Sequence, residues 1–269
     1  MSRSVSTNGR PASPRTRHPA RQVSRGLSDN QYRVLLSQLY SLGYGEQGQL
    51  RTLGLTSSKR REGVTTVACN LALYAAKQHG LRVLLIDANH ANPSLHKVFN
   101  VPYAPGLTDL LNADVSEDDC THDLSKLPLD EWPHALQYSL RRSRGVGRFA
   151  KRRETTNAPQ LTVMPCGRSD LLSHNIGRVE NDGVLNGVSA EYDLAIVDLP
   201  AISLATSSGF SPASLDGIVV VIKSNATSDV SAQKSLRQMQ QAGGHVMGVV
   251  LNQCRSHLRI FLTQLGSFP

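Results

Sequence analysis

The sequence has no apolar run long enough to cross a lipid bilayer. The longest runs, such as Gly217 to Ile222, have the length of a strand, whereas a spanning helix needs about 20 apolar residues. The basic N-terminus lacks the apolar segment of a secretion signal. Internal repeats are also absent. The cysteines show neither metal-ligand spacing nor a disulfide framework, which favours incidental thiols in a reducing cytoplasm: Cys69, Cys120, Cys166 and Cys254.

Acidic residues are missing from two segments that carry much of the positive charge. Residues 1–27 contain six arginines and no acid, and residues 141–153 contain seven bases and no acid. Outside these segments acids outnumber bases, although the whole chain has a formal net charge of +8. Clusters of this kind bind nucleic acid or an anionic membrane through charge alone. The alternative is a solvated tail and a solvated loop.

The length of 269 residues fits one large domain with tails. Residues 1–28 are rich in Ser, Arg and Pro and have few aliphatic side chains, so we expect a disordered basic tail. We predict a single domain over residues 29–254, with a polar, irregular insertion at residues 113–159. Residues 255–269 form a C-terminal tail in this interpretation.

Apolar runs and helical periodicity alternate along the predicted domain. The runs are continuous rather than alternating, which is typical of parallel strands covered on both faces. We predict strands at residues 53–55, 82–87, 161–165, 194–198, 217–222 and 246–252, and helices at residues 29–42, 66–79, 94–99, 177–189 and 228–242. The pattern predicts an α/β fold with a mainly parallel sheet and helices on both faces.

A loop rich in charged and small residues follows the first strand and opens a helix. Phosphate-binding loops of the type G-x-x-x-x-G-K-S/T occupy this strand–loop–helix position. Gly63 and Thr65 stand where the second glycine and the magnesium-binding hydroxyl belong, and Thr66 follows. Val64 replaces the lysine and Ser58 replaces the first glycine. The loop therefore predicts either a nucleotide site or a retained turn that binds no nucleotide.

Two acids end predicted strands on the same side of the sheet as this loop. Ligands of open parallel sheets bind at the carboxyl ends of the strands, and Asp87 and Asp198 end two of them. A lone acid at a strand end is often only a cap, but two beside Gly-x-Thr-Thr predict a magnesium site. Thr65 is the first ligand, Asp198 acts through water, and Asp87 lies close to an attacking hydroxyl or water.

Several motifs in order resemble the bacterial tyrosine kinases of capsule and exopolysaccharide synthesis, within the MinD/ParA branch of P-loop ATPases. They are T-S-S-x-x-x-E-G-x-T-T, then V-L-L-I-D-A-N-x-x-x-P-S-L-H, then Y-D-L-A-I-V-D-L-P, then G-V-V-L-N. The resemblance covers residues 29–254. It implies a P-loop NTPase-like fold, ATP and Mg²⁺ as cofactors, Asp87 and Asp198 as the two Walker acids, and Asn252 near the adenine base.

The chain departs from that family at four catalytic features. The lysine of P-G-E-G-K is Val64, and the second acid of D-x-D is Asn89. The basic pair before Pro93 is Ala91-Asn92, and residues 255–269 contain no tyrosine cluster. A lysine about 4 Å from a phosphate contributes roughly 4 kcal/mol at an effective dielectric of about 20. We therefore expect its loss to weaken binding roughly a thousandfold.

Neighbouring cations offer a substitute for the missing lysine. Lys59 stands at the position of the additional lysine of the MinD/ParA branch, which contacts nucleotide across a dimer, and Arg60 lies in the loop itself. Simple surface charge is the alternative interpretation of both. The resulting candidate nucleotide-binding set is Lys59, Arg60, Gly63, Thr65, Thr66 and Asn252.

Three functions remain open from the sequence. The first is a kinase-like protein of exopolysaccharide synthesis or export, weak or inactive in tyrosine phosphorylation. It would lie in the cytoplasm at the inner face of the membrane, docked on a membrane chain-length or export protein. The second is a ParA/MinD-like positioning ATPase on DNA or membrane. The third is a nucleotide-free structural regulator, a pseudokinase that forms homo- or hetero-oligomers.

Overall fold

A computed structural model describes residues 29–43, 50–112, 115–126, 159–168, 187, 190–203, 211–224, 227–253 and 260–261. The basic segments 1–27 and 141–153 and the predicted helix at residues 177–189 fall outside this part of the chain, Gly187 excepted. The disorder proposed for residues 1–28 and the domain bounds therefore stay predictions.

The helices and strands follow the predicted alternation. The helices are α1 Asp29–Gly43, α2 Val64–His79, α3 Leu95–Phe99, α4 Leu107–Leu111, α5 Glu117–Cys120 and α6 Asp229–Gln241. The strands are β1 Thr52–Ser57, β2 Val83–Asp87, β3 His122–Asp123, β4 Leu161–Met164, β5 Leu194–Asp198, β6 Gly217–Lys223, β7 Val246–Asn252 and β8 Ile260–Phe261. Among the described helices, none has both the length and the apolar composition that crossing a bilayer requires.

The strands form a single sheet with the order β3-β4-β2-β5-β1-β6-β7-β8. The six inner strands are parallel, and β3 and β8 pair antiparallel at the two edges. The predicted mainly parallel sheet is thus confirmed. Residues 115–126 correct the prediction that the whole segment 113–159 is irregular, because they contain α5 and β3. Strands of two residues are too short to produce a sequence periodicity.

Two apolar clusters cover the two faces of the sheet. Leu35 of α1, Val67 of α2 and Leu95 of α3 pack on one face, and Leu107 of α4 and Leu236 of α6 pack on the other. The inner strands are buried on both faces, which explains their continuous apolar runs. This arrangement confirms a single α/β layered domain and leaves the carboxyl ends of the strands as the edge where the loop lies.

Candidate functional site

The two predicted strand-end acids lie side by side at the carboxyl edge of the sheet. Asp87 of β2 and Asp198 of β5 are register partners on neighbouring parallel strands. The Thr65 hydroxyl, in the first turn of α2, donates a 2.6 Å hydrogen bond to Asp198 Oδ2. Ser94 Oγ lies 3.4 Å from Thr65 Oγ1. The fold therefore brings together the three side chains that the sequence predicts as a metal site.

The two carboxylates differ in what surrounds them. Asp87 accepts hydrogen bonds from the backbone N–H groups of Ser94 and Leu95 at 2.8 and 2.9 Å, and from that of Asn89 at 3.1 Å. These bonds fix the turn after β2 and the start of α3. Asp198 Oδ1 is buried and has no hydrogen-bond partner among the described residues. Asp87 thus supports the local backbone, whereas Asp198 keeps one oxygen unsatisfied.

Burial dominates the protonation of both acids. It raises the pKa of Asp87, and the three backbone N–H groups partly oppose that rise. Burial also raises the pKa of Asp198 well above its usual range, and the nearby charge of Asp87 adds to the effect. The Thr65 hydrogen bond opposes it. A cation beside Asp198 would relieve both the desolvation and the repulsion between the carboxylates.

The donor set suits magnesium better than a metal held by protein side chains alone. Among the described residues, no group of three or more His, Cys, Asp and Glu side chains could hold a metal ion. Mg²⁺ usually binds one or two carboxylates and completes its shell with waters and phosphate oxygens. The unsatisfied oxygen of Asp198 beside the Thr65 hydroxyl fits that requirement. Thr65 and Asp198 are the residues that would hold the ion.

The Glu62 carboxylate holds the loop by hydrogen bonds, a role that the sequence analysis did not predict. Its side chain is 3% exposed. One carboxylate oxygen accepts from Lys59 N at 2.8 Å, and the other accepts from Lys223 N at 3.3 Å and from the Thr227 hydroxyl. Glu62 therefore ties the loop to the end of β6 and the approach to α6. The available signal was a single acid within a run of bases.

Asn252 also holds the loop. It is buried at the end of β7, and its Nδ2 donates to the Glu62 carbonyl at 2.9 Å. Gly63 next to it has a φ of 93°, and a Cβ there would lie 2.2 Å from Asn252 Nδ2. Only glycine fits this contact and this backbone conformation. The structure thus places Asn252 against the loop backbone, and its predicted contact with adenine stays a prediction.

The side chains of the loop divide into an exposed and a buried set. Lys59, Arg60 and Thr66 are exposed. Val64 is 8% exposed and packs in the apolar cluster with α1 and α2. Ser58, at the position of the first glycine, is buried, and its hydroxyl lies 2.7 Å from Ser235 Oγ of α6. The replacements therefore tie the loop to the protein interior.

The structure also describes three of the four cysteines and the residues at the altered family positions. Cys69, Cys120 and Cys166 are free, buried thiols. Cys254 lies outside the described residues. Asn89 is half-buried, and Ala91 and Asn92 are exposed, so no side-chain cation occupies the positions of the family's basic pair.

Sequence comparison identifies relatives among bacterial tyrosine kinases. No protein-family model matches the chain. It is 26% identical over 228 residues to the tyrosine-protein kinase YwqD of Bacillus subtilis, covering 85% of this chain and 82% of that protein. It is 30% identical over 196 residues to the tyrosine-protein kinase ptk of Acinetobacter johnsonii, covering 71% of this chain but only 22% of that protein. The succinoglycan biosynthesis transport protein ExoP of Rhizobium meliloti is 22% identical over 208 residues, which are 76% of this chain and 22% of ExoP.

Structural comparison shows the same fold. The kinase domain of the Escherichia coli tyrosine kinase ETK superposes with a TM-score of 0.63 at 19% identity, covering 83% of this chain and 74% of that chain. The chimerical protein CapA2B2 gives 0.62 at 20% identity, with 84% and 85% covered. MinD of Pyrococcus horikoshii, complexed with Mg-ADP, gives 0.52 at 19% identity, with 76% and 70% covered. The chain is thus similar in sequence to bacterial tyrosine kinases and shares the fold of their kinase domains and of MinD.

Proposed function

We propose that this chain is a kinase-like P-loop protein of exopolysaccharide or capsule synthesis or export. In this proposal it binds a magnesium nucleotide weakly, has little or no tyrosine kinase activity, and acts through a membrane polysaccharide chain-length or export protein. The relatives support the pathway, since one is named a succinoglycan biosynthesis transport protein and others are named tyrosine-protein kinases.

The observation that carries the proposal is the 2.6 Å hydrogen bond between Thr65 and Asp198 beside an unsatisfied carboxylate oxygen. In this proposal the pair holds a magnesium ion, although the lysine for the phosphates is replaced by a buried valine. Magnesium, when bound there, supplies positive charge to a nucleotide's phosphate oxygens. Thr65 and Asp198 would hold the ion, and the backbone of the loop, held by Glu62, would contact the phosphates.

Weak phosphoryl transfer follows from the altered residues. Transfer requires charge neutralisation in the transition state, and each missing cation removes part of it. Val64, Ala91 and Asn92 replace three cations that the resemblance implies. Asp87, which the sequence predicts to lie close to an attacking hydroxyl or water, already accepts three backbone hydrogen bonds. The proposal therefore retains nucleotide binding and gives up most of the catalysis.

A nucleotide-free regulator is the second candidate function. Burial of Val64 in the apolar cluster favours it, because the loop then serves as a folded turn joining β1 to α2. Glu62 and Asn252 stabilise that turn without any ligand. In this alternative the chain acts by associating with a membrane partner or an active relative.

Calorimetric titration with Mg-ATP separates the two candidates. We expect the wild-type protein to bind with a Kd in the high micromolar to millimolar range, given a roughly thousandfold loss from the missing lysine. Asp198→Ala should abolish the binding heat. Asp193→Asn is the matched control, because Asp193 precedes the same strand at the opposite edge and pairs with Arg82 at 2.9 Å. Absence of heat with the wild-type protein would leave only the nucleotide-free regulator.

A further inference from the structure

Arg61 occupies a backbone conformation that the loop's sequence does not favour. Its φ is 67°, in the left-handed region that costs a non-glycine residue roughly 1–2 kcal/mol. The resembling family has glycine at this position of P-G-E-G-K. The loop thus holds an arginine in a conformation that favours glycine. A residue held in such a region is a reason to look for a function.

Two hydrogen bonds, one partly buried and one buried, hold the backbone on both sides of Arg61. On one side, Lys59 N donates to Glu62 Oε2 at 2.8 Å. On the other, Asn252 Nδ2 donates to the Glu62 carbonyl at 2.9 Å. Neither bond involves the Arg61 side chain, which is exposed. The loop therefore presents Arg61 from a fixed backbone, which lowers the entropy cost of using it in a binding site.

Arg61 belongs to a cationic cluster with Lys59 and Arg60, and the acid in the loop does not neutralise it. The buried Glu62 carboxylate accepts hydrogen bonds from two backbone N–H groups and the Thr227 hydroxyl. Within the described part of the chain, Lys59, Arg60 and Arg61 form no ion pair. None of the described acids therefore neutralises the cluster by an ion pair.

A second feature points to a ligand at the same place. The loop leads into α2, a helix of 16 residues whose positive N-terminal end favours anions. In the first turn of α2, Thr65 contacts Asp198, whose other carboxylate oxygen is fully buried and has no partner among the described residues. A magnesium polyphosphate would suit three features of this region: the N-terminus of α2, Arg61 and the unpartnered oxygen of Asp198. Its phosphate oxygens would bind the first two, and its cation would bind Asp198.

We propose that Arg61 is the phosphate-binding cation that replaces the lysine missing at position 64, and that the ligand is the polyphosphate of a nucleoside di- or triphosphate. This inference rests on the proposed function. A guanidinium binds two phosphate oxygens at once, which a lysine ammonium does not. Val64 is then free to pack in the core, because the charge has moved three residues earlier in the loop.

The test measures affinity and stability on the same variants. In Arg61→Gly and Arg61→Asn, both of which tolerate a positive φ, we expect Mg-ADP and Mg-ATP affinity to fall by roughly ten- to a hundredfold, as for loss of charged hydrogen bonds. The unfolding equilibrium constant of Arg61→Gly should fall roughly fivefold, because backbone strain is relieved. Arg237→Gln removes one charge from the exposed face of α6. It should change neither the nucleotide affinity nor the unfolding equilibrium constant appreciably.

Opposite directions of affinity and stability distinguish a binding role from a structural role. If Arg61→Gly binds both nucleotides as well as the wild-type protein, the inference is wrong while the proposed nucleotide site stands. The same conclusion follows if only Arg60→Ala or Lys59→Ala weakens binding. If the wild-type protein binds neither nucleotide, both the inference and the proposed nucleotide site fail.

Discussion

At the scale of single residues, both burial and a neighbouring carboxylate disfavour the charged form of Asp198. It is fully buried, it lies beside Asp87 on the neighbouring strand, and the lysine that the P-loop motif places nearby is absent. Its pKa is raised by burial first and by Asp87 second. The folded state therefore binds a proton at Asp198 more tightly than the unfolded state does.

The pH dependence of stability follows from this shift. Because the pKa is raised in the folded state, the free energy of unfolding falls as pH rises above the ordinary range of an aspartate, about 3.9. Asp198→Asn removes that loss, so we expect the variant to be more stable than the wild-type protein at pH 8 and to differ less at pH 5. Urea unfolding at both pH values without magnesium measures this. A variant that is less stable at pH 8 would contradict the prediction.

Asp193→Asn is a control for which the stability change has the opposite sign. In the wild-type protein, the hydrogen bond from Arg82 lowers the pKa of Asp193. The stabilisation is therefore present above the ordinary aspartate range and is lost as pH falls through the lowered pKa. We expect this variant to be less stable than the wild-type protein at pH 8, with a small effect because the pair is solvent-exposed.

At the scale of elements, the junction between the loop and α2 replaces a phosphate contact by packing. Val64 begins α2 and contributes to the same apolar cluster as α1. Hydrogen bonds to other elements also hold the junction, since Ser58 contacts α6 and Glu62 contacts the end of β6. These contacts within the chain stabilise the strand–loop–helix unit.

Val64→Lys tests whether this junction can still bind phosphate. We expect Mg-ATP affinity to rise by up to about a thousandfold if the loop backbone is intact. The free energy of unfolding should fall by about 1–2 kcal/mol, because valine burial is lost. Calorimetry and urea unfolding measure the two effects. Val64→Ala is the control, which should lose stability without gaining affinity. An unchanged affinity in Val64→Lys would mean either that Arg61 already supplies the charge or that Arg60 and Arg61 have deformed the loop.

At the scale of the whole molecule, the positive charge is unevenly distributed along the sequence. Most of the excess positive charge lies in residues 1–27 and 141–153, which are outside the described structure. We predict that these segments bind an anionic surface through charge alone, in which case the binding requires no nucleotide. A ParA/MinD-like positioning ATPase would instead couple its surface binding to ATP.

Retention on DNA and on anionic lipid vesicles distinguishes these possibilities. We expect retention that decreases steeply between about 50 and 200 mM salt, is the same with and without Mg-ATP, and is unchanged in Lys59→Ala. A co-sedimentation assay at several salt concentrations measures it. Retention that requires Mg-ATP and disappears in Lys59→Ala would contradict the kinase-like proposal and support the positioning ATPase.

The sequence by itself determined the order of strands and helices, the place of the phosphate-binding loop and the two acids at the carboxyl edge. These features depend on local patterns: apolar runs for β2 and β5, helical periodicity for α1 and α6, and glycine before α2. The family resemblance was available for the same reason, since its motifs are short and lie in order. The edge strands β3 and β8 could not be predicted from the sequence, because a strand of two residues shows no periodicity.

Only the tertiary structure decided how the loop is held and which cations remain exposed. Thr65 and Asp198 are 133 residues apart in sequence, and Asn252 and Glu62 are 190 apart. No local pattern records such contacts, because they form when distant strands align in one sheet. The burial of Val64 and the inward direction of the Glu62 carboxylate follow from that alignment, and together they leave Arg61 exposed at the loop.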